Sequence, residues 1–467
     1  MERVYIKEGV NAGAVKDFIL NCGTILTAPR ALQILKGGET VVKCAFAPYE
    51  PDGRMYLYSL SKPFCSVMCG ICIDEGLLSP DVKLCELFPD KMPGELTEGL
   101  KKLTLEDCLT MRCGHGRCVL EEMRWGKDAL KEFFAFPMQF EPGETFVYST
   151  GATMVCAAAV ERVTGRKFAD LAYEKLFSKL GVEKPEWREA LDGTNLGGTG
   201  LMVNTETVAR FGQMLMQKGV YKGKRIVSEE YIKNATSKHT ESYVNHVSPD
   251  WSSGYGYQFW KNGRGGFRGD GAYGQIMFVL PEEDVVAVFF GESYDAVKEF
   301  EFFNKMLDDL FKPGDCPAEE VEKLCENLYS VPKTEPFRRE ADLAVAPNGA
   351  GITRVRLCAE GDGLCITVTA DGRDRVIRCG NGEYIRSVAS LRDFDITQVP
   401  SDPALGREIP FDVYGSYEYS GDTVTATFRH ADTCHTQKWI FDLNAGKWTV
   451  EPRCGNLCIR EFDISAE

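Results

Sequence analysis

Two apolar hairpins, far apart in the chain, limit the folds open to it. Residues 31–36, Gly37-Gly38 and 39–46 read as strand, tight turn and strand. Residues 276–280, 281–284 and 285–290 repeat the pattern with a four-residue turn. A helix over 12–28 leads into the first hairpin, and between the two the apolar residues recur mostly at helical spacing. Helices are expected over 152–164, 168–180, 205–217 and 229–237, with shorter ones at 81–88 and 103–111. Residues 219–226 read as a loop and 255–260 as an alternating strand. A last helix, 295–310, stops at Pro313-Gly314. The expected fold is therefore mixed α/β: an antiparallel sheet flanked by helices, with a large helical insertion.

A chain of 467 residues is too long for one ordinary domain and short for three. The expected division is a domain over 1–312, a charged linker over 313–345 with a short surface-packed helix near 319–328, and a small all-β domain over 346–467. Strands in that last part are expected at 353–359, 364–369, 423–428 and 437–443. A net charge of −15 with no basic block argues against binding a phosphate backbone, so nucleic acid is not an expected partner. No run approaches 18 apolar residues, so no membrane span is expected either. The amino terminus shows no apolar export segment, and the 18 scattered cysteines suit a reducing compartment, which together point to the cytoplasm. Cys65, Cys69 and Cys72 fall on one helical stripe and read as core residues; mid-helix, Cys69-x-x-Cys72 has the wrong context for redox chemistry.

Three short stretches carry chemistry. Ser59-Leu60-Ser61-Lys62 places a hydroxyl and an amine three residues apart at a helix start, where they can meet. The helix dipole and burial both disfavour a charged lysine, and a neutral one can take the serine proton. The plainer reading is a capping serine beside a solvated lysine. Tyr148-Ser149-Thr150 sits where a loop enters a helix, so Tyr148 could act as phenolate base or proton relay, or be only a half-buried structural ring. Arg268-Gly-Asp-Gly-Ala-Tyr-Gly-Gln275 approaches the second hairpin; its glycines let a substrate lie against the main chain, and otherwise it is a plain turn. Gly269-x-Gly271-x-x-Gly274 is no dinucleotide fingerprint, because it opens a strand rather than a helix. His115, between Cys113 and Cys118, lacks a second ligand cluster, so no metal is expected; Cys434-His435 is likewise unsupported.

Taken in order, Ser59-x-x-Lys62, Tyr148-x-Thr150 and Gly269-Asp270-Gly271 give residues 15 to about 310 a resemblance to the class C β-lactamase-like serine hydrolases. The branch it looks most like holds the 6-aminohexanoate-dimer hydrolases and esterases. The resemblance implies a serine hydrolase of small esters or amides that needs no cofactor and no metal. Ser59 would be the acylated nucleophile, Lys62 its base, and Tyr148 the relay to the leaving group. The amides of Ser59 and Ala272 would form the oxyanion hole, with Gly271 letting the strand approach. Where β-lactamases have a lysine, Gly269 stands here with Asp270 after it; where they have an asparagine, Thr150 stands. Both departures point away from a dedicated antibiotic-resistance enzyme. Asp270 would either favour an amine on the substrate or pair with Arg268. The alternative function is a penicillin-binding-like sensor with little turnover. No motif specifies an oligomeric state.

Overall fold

The computed structural model describes residues 2–466 except 126, 191, 244–247, 350, 371, 390–410 and 453–458. Its first sheet has seven antiparallel strands in the order Val4–Ile6, Glu39–Ala45, Ala28–Lys36, Val285–Glu292, Gln275–Leu280, Phe267–Gly271 and Trp260–Lys261. The two expected hairpins are thus neighbours, joined where Ala28–Lys36 pairs with Val285–Glu292.

Strand periodicity divides the core. Met277, Val279, Val286, Val288 and Phe290 point to the helical insertion, while Ile276, Phe278, Leu280, Ala287 and Phe289 point the other way. On that second face lie the helices Ala12–Thr24, Ala296–Asp309 and Ala318–Asn327. The last of these buries Val321 and Cys325 completely. The insertion includes the Ser61–Asp74, Thr150–Thr164 and Thr205–Met216 helices. Thr104 and Asp107 form a reciprocal capping box on Leu105–Leu109.

Two expectations fail. Residues 219–226 form a small hairpin, Val220–Tyr221 with Lys224–Arg225. Residues 255–260 are not a strand beyond Trp260: Gln258 turns to φ +67°, and its buried amide donates to the carbonyls of Cys108 and Leu109. A Cβ on Gly256 would come 2.2 Å from the Ala235 carbonyl oxygen, so this segment threads the core instead of joining the sheet.

From Ala341 onward the chain forms a ten-stranded antiparallel sheet. The Gly363–Ala370 strand alternates half-buried and buried along its whole length, and Trp439, Phe441, Trp448 and Phe462 fill the middle. The sheet curls until Gly380 bonds with both Gly415 and Tyr417. The mixed α/β fold with a separate β-rich carboxyl-terminal part is as the sequence led us to expect.

Candidate active site

Ser59 sits in a single 3-10 turn, Tyr58–Leu60, that runs into the Ser61–Asp74 helix. It is half-buried, whereas residues 55–58 and 60–72 around it are buried. Its side chain caps nothing at this helix start, so the plainer capping role does not hold. Lys62 is 1% exposed, and its Nζ lies 2.9 Å from Ser59 Oγ. The same amine donates to Thr150 Oγ1 at 3.1 Å and to the Gly198 carbonyl at 2.9 Å. Burial lowers its pKa to about 7, against the pull of Cys118, Asp270 and Cys65. A neutral amine has two N–H bonds and one lone pair. Thr150 and Gly198 take the two hydrogens, which leaves the lone pair facing the serine.

Gly198 comes from the glycine-rich turn before the Thr205–Met216 helix. Its Cβ would lie 2.9 Å from Thr150 and 3.0 Å from Thr153, so only glycine brings this carbonyl to the lysine. The turn carries three glycines, at 197, 198 and 200, and an acceptor that is a backbone carbonyl leaves no side-chain signal in the sequence.

Tyr148 precedes the Thr150–Thr164 helix. Its ring stacks on Trp260 at 5.3 Å, and Lys62 Nζ lies 4.9 Å from its centroid. Burial, then Asp270, push its pKa up, while a hydrogen bond with Ser59 pulls it back. The phenol therefore keeps its proton at neutral pH, which favours a relay over a phenolate base.

The Phe267–Gly271 strand closes against the turn that carries Ser59. A Cβ on Gly271 would meet the Leu57 carbonyl oxygen at 2.1 Å, and one on Gly269 would meet Leu60 and Pro63 at 2.7 Å. This contact requires both glycines. Between them, Asp270 faces Arg268, with Nε 3.2 Å from Oδ1. The Arg268 guanidinium is fully buried, stacked on Trp251, Trp260 and Phe300 at 4.8, 5.2 and 5.0 Å. The two side chains form a close ion pair, the arrangement expected of the pairing alternative for Asp270. Ala272 follows, exposed, before a turn through Tyr273 and Gly274.

Together these residues open on a cleft of 470 Å³, lined with Ser59, Tyr148, Tyr243, Trp251, Trp260 and Asp270 among others. The carboxyl of Glu299 lies at its edge, fully buried, with its pKa raised to about 8 by burial and by nearby Asp270 and Asp295. His115 is buried against Phe133 with its pKa lowered to about 4. Among the described residues no group of three metal-ligating side chains comes together.

An antiparallel sheet with helices on both faces and a helical insertion over the catalytic edge defines the class of β-lactamase and penicillin-binding folds. A family VIII carboxylesterase shares it at TM-score 0.52, with 17% identity over 66% of this chain and all of that one. An octameric penicillin-binding protein homologue from Pyrococcus abyssi matches at TM-score 0.51 and 16% identity, over 97% of this chain and 99% of its own, so that likeness includes the carboxyl-terminal sheet. In sequence, the 6-aminohexanoate-dimer hydrolase of Paenarthrobacter ureafaciens is 27% identical over 286 residues, 56% of this chain and 72% of its own. The profile of the beta-lactamase family matches residues 30–299. The chain belongs to that family, and it is a serine hydrolase.

Proposed function

We propose that Ser59 is the nucleophile of an acyl-enzyme cycle on small esters or amides. The observation that carries this is the 2.9 Å contact between Ser59 Oγ and a buried amine whose pKa lies near 7. Lys62 takes the hydroxyl proton as Oγ attacks the carbonyl carbon. The amides of Ser59 and Ala272 stabilise the resulting oxyanion. Collapse breaks the bond to the leaving group, which receives the proton through Tyr148. Water then adds to the acyl-serine, losing its proton by the same route in reverse, and the acid leaves. Every proton has a carrier in the chain.

Gly269 leaves no room for a side chain against Leu60 and Pro63, and Asp270 is occupied by Arg268. Neither offers a cation to a substrate carboxylate, which supports an esterase or amidase over a dedicated β-lactamase. The relatives named 6-aminohexanoate-dimer hydrolase, lovastatin esterase and D-aminopeptidase agree with that substrate range. The division of labour is a hydrolase unit over 1–312, a connecting segment over 313–345 and a β unit over 346–467. Among the described residues no helix is long and apolar enough to cross a membrane. Every described cysteine is free, which suits the reducing compartment of a cytoplasmic site of action. A fluorophosphonate probe read by intact mass tests the nucleophile: one adduct on wild type and none on Ser59→Ala is expected. An adduct that persists on Ser59→Ala rules the assignment out.

A further inference from the structure

The loop between the Thr423–His430 and Thr436–Asp442 strands does not end at the surface of the carboxyl-terminal sheet. It enters the hydrolase unit. Arg30 Nη1 donates to the His430 carbonyl, and the Tyr56 amide donates to the Asp432 carbonyl at 2.7 Å. The Thr436 amide and hydroxyl donate to the two carboxylate oxygens of Glu292, at 3.2 and 2.6 Å. Glu292 is fully buried and ends the Val285–Glu292 strand, next to the strand that follows Ala272 and its turn. Cys434, fully buried, counts among the core residues of the helical insertion.

At the tip, His435 lies against two tyrosines. Its Nε2 is 3.0 Å from the Tyr58 hydroxyl, and its ring is 5.7 Å from that of Tyr273. The two tyrosine rings meet each other edge to face at 5.4 Å. Their backbones share an unusual feature: Tyr58 has φ +48° and Tyr273 has φ +66°. A bulky side chain rarely adopts this left-handed conformation, and it persists only where the surroundings hold it. Tyr58 immediately precedes Ser59, and Tyr273 immediately follows Ala272. The two strained residues therefore flank the two amides assigned to the oxyanion, and their rings converge on one histidine from the other end of the chain.

The geometry points to His435 as a positioning residue of the hydrolase: through Tyr58 and Tyr273, it holds the Ser59 and Ala272 amides in the orientation that receives the oxyanion. The carboxyl-terminal sheet is then part of the active site's support. This inference rests on the assignment of Ser59 as nucleophile. His435 does not touch the substrate and does not shuttle protons. Burial, with Arg30 nearby, lowers its pKa to about 3, so it stays neutral across the working range and its role is geometric.

The test uses the full chain with 4-nitrophenyl butyrate for turnover and phenylboronic acid as a tetrahedral mimic whose oxygen enters the oxyanion hole. Tyr58→Phe removes one oxygen and keeps the ring, so it reports even if His435→Ala fails to fold. Each variant is expected to lower kcat about tenfold or more while KM moves less than about threefold, and to weaken boronate inhibition by a similar factor. His435→Gln, which can still bond the Tyr58 hydroxyl, is expected to recover most of the loss. The Tyr58→Phe/His435→Ala double variant should be no slower than the worse single one, because both break one link. Values of kcat within about twofold of wild type in Tyr58→Phe overturn the inference. So does a loss that His435→Gln fails to relieve and that tracks the folded fraction by thermal melting. Turnover that survives Ser59→Ala removes the nucleophile assignment itself, which separates the two failures.

Discussion

Two buried cations serve the same cleft and are treated in opposite ways. Lys62 and Arg268 are 1% and 0% exposed. Around Lys62 are a hydroxyl pair, a carbonyl and a tyrosine face, and among the described residues it makes no ion pair. Arg268 has the Asp270 carboxylate, two carbonyl acceptors and three aromatic faces. The difference follows from intrinsic basicity. Burial without a counter-charge brings an amine down to working pH, but a guanidinium cannot shed its proton and must be compensated where it lies. Burial makes a base in one place and a fixed structural charge in the other.

The largest expected effect lies on the lysine side. Lys62→Met should cut kcat/KM by about a thousandfold, as for loss of a general base. In wild type, kcat/KM should rise with pH through about 7, because the neutral amine is the active form and it becomes populated above its pKa. A rate flat from acid to alkaline pH would erase the contrast between the two cations.

On the arginine side the expected loss is of stability. Asp270→Asn leaves a buried guanidinium without its carboxylate and should cost about 3–5 kcal/mol in denaturant unfolding. Selectivity between amino-acyl and neutral esters should stay as in wild type, since the carboxylate is already engaged. A variant as stable as wild type but with altered amine selectivity would reverse the roles drawn here.

A smaller effect is expected where the two regions touch. Gly271→Ala puts a methyl into the Leu57 carbonyl and must push the strand away from the nucleophile turn. Displacement on the order of an ångström should lower kcat about tenfold to a hundredfold, measurable with the same ester.

The last concerns Glu299, buried with no cation among the groups that shift it. Its folded pKa, about 8, lies above the ordinary 4.5, so the folded state holds the proton more tightly. Its contribution to stability is therefore greatest at acid pH and declines as pH rises from 4.5 to about 8. Glu299→Gln should flatten that decline, with a melting temperature equal to or above wild type at pH 8. An unchanged slope would mean the carboxyl is solvated in solution.

Much of this could be read beforehand. Both hairpins, the main helices and the order of the three motifs follow from local pattern, because apolar spacing and turn chemistry act over a few residues. Other features could not. Residues 255–260 alternate like a strand, yet Gly256 must pass the Ala235 carbonyl, and that neighbour is distant in sequence. The Gly198 acceptor is a backbone atom. Cys434-His435 looked idle because its partner, Tyr58, lies 377 residues away.

The sequence by itself determined which groups could react: a hydroxyl and an amine at helical spacing, a tyrosine at a helix entrance, and glycines that let a strand approach. The tertiary structure decided their states. Whether Lys62 is neutral, Asp270 is paired or Tyr58 is held in its left-handed turn depends on burial and on long-range neighbours, and local pattern encodes neither.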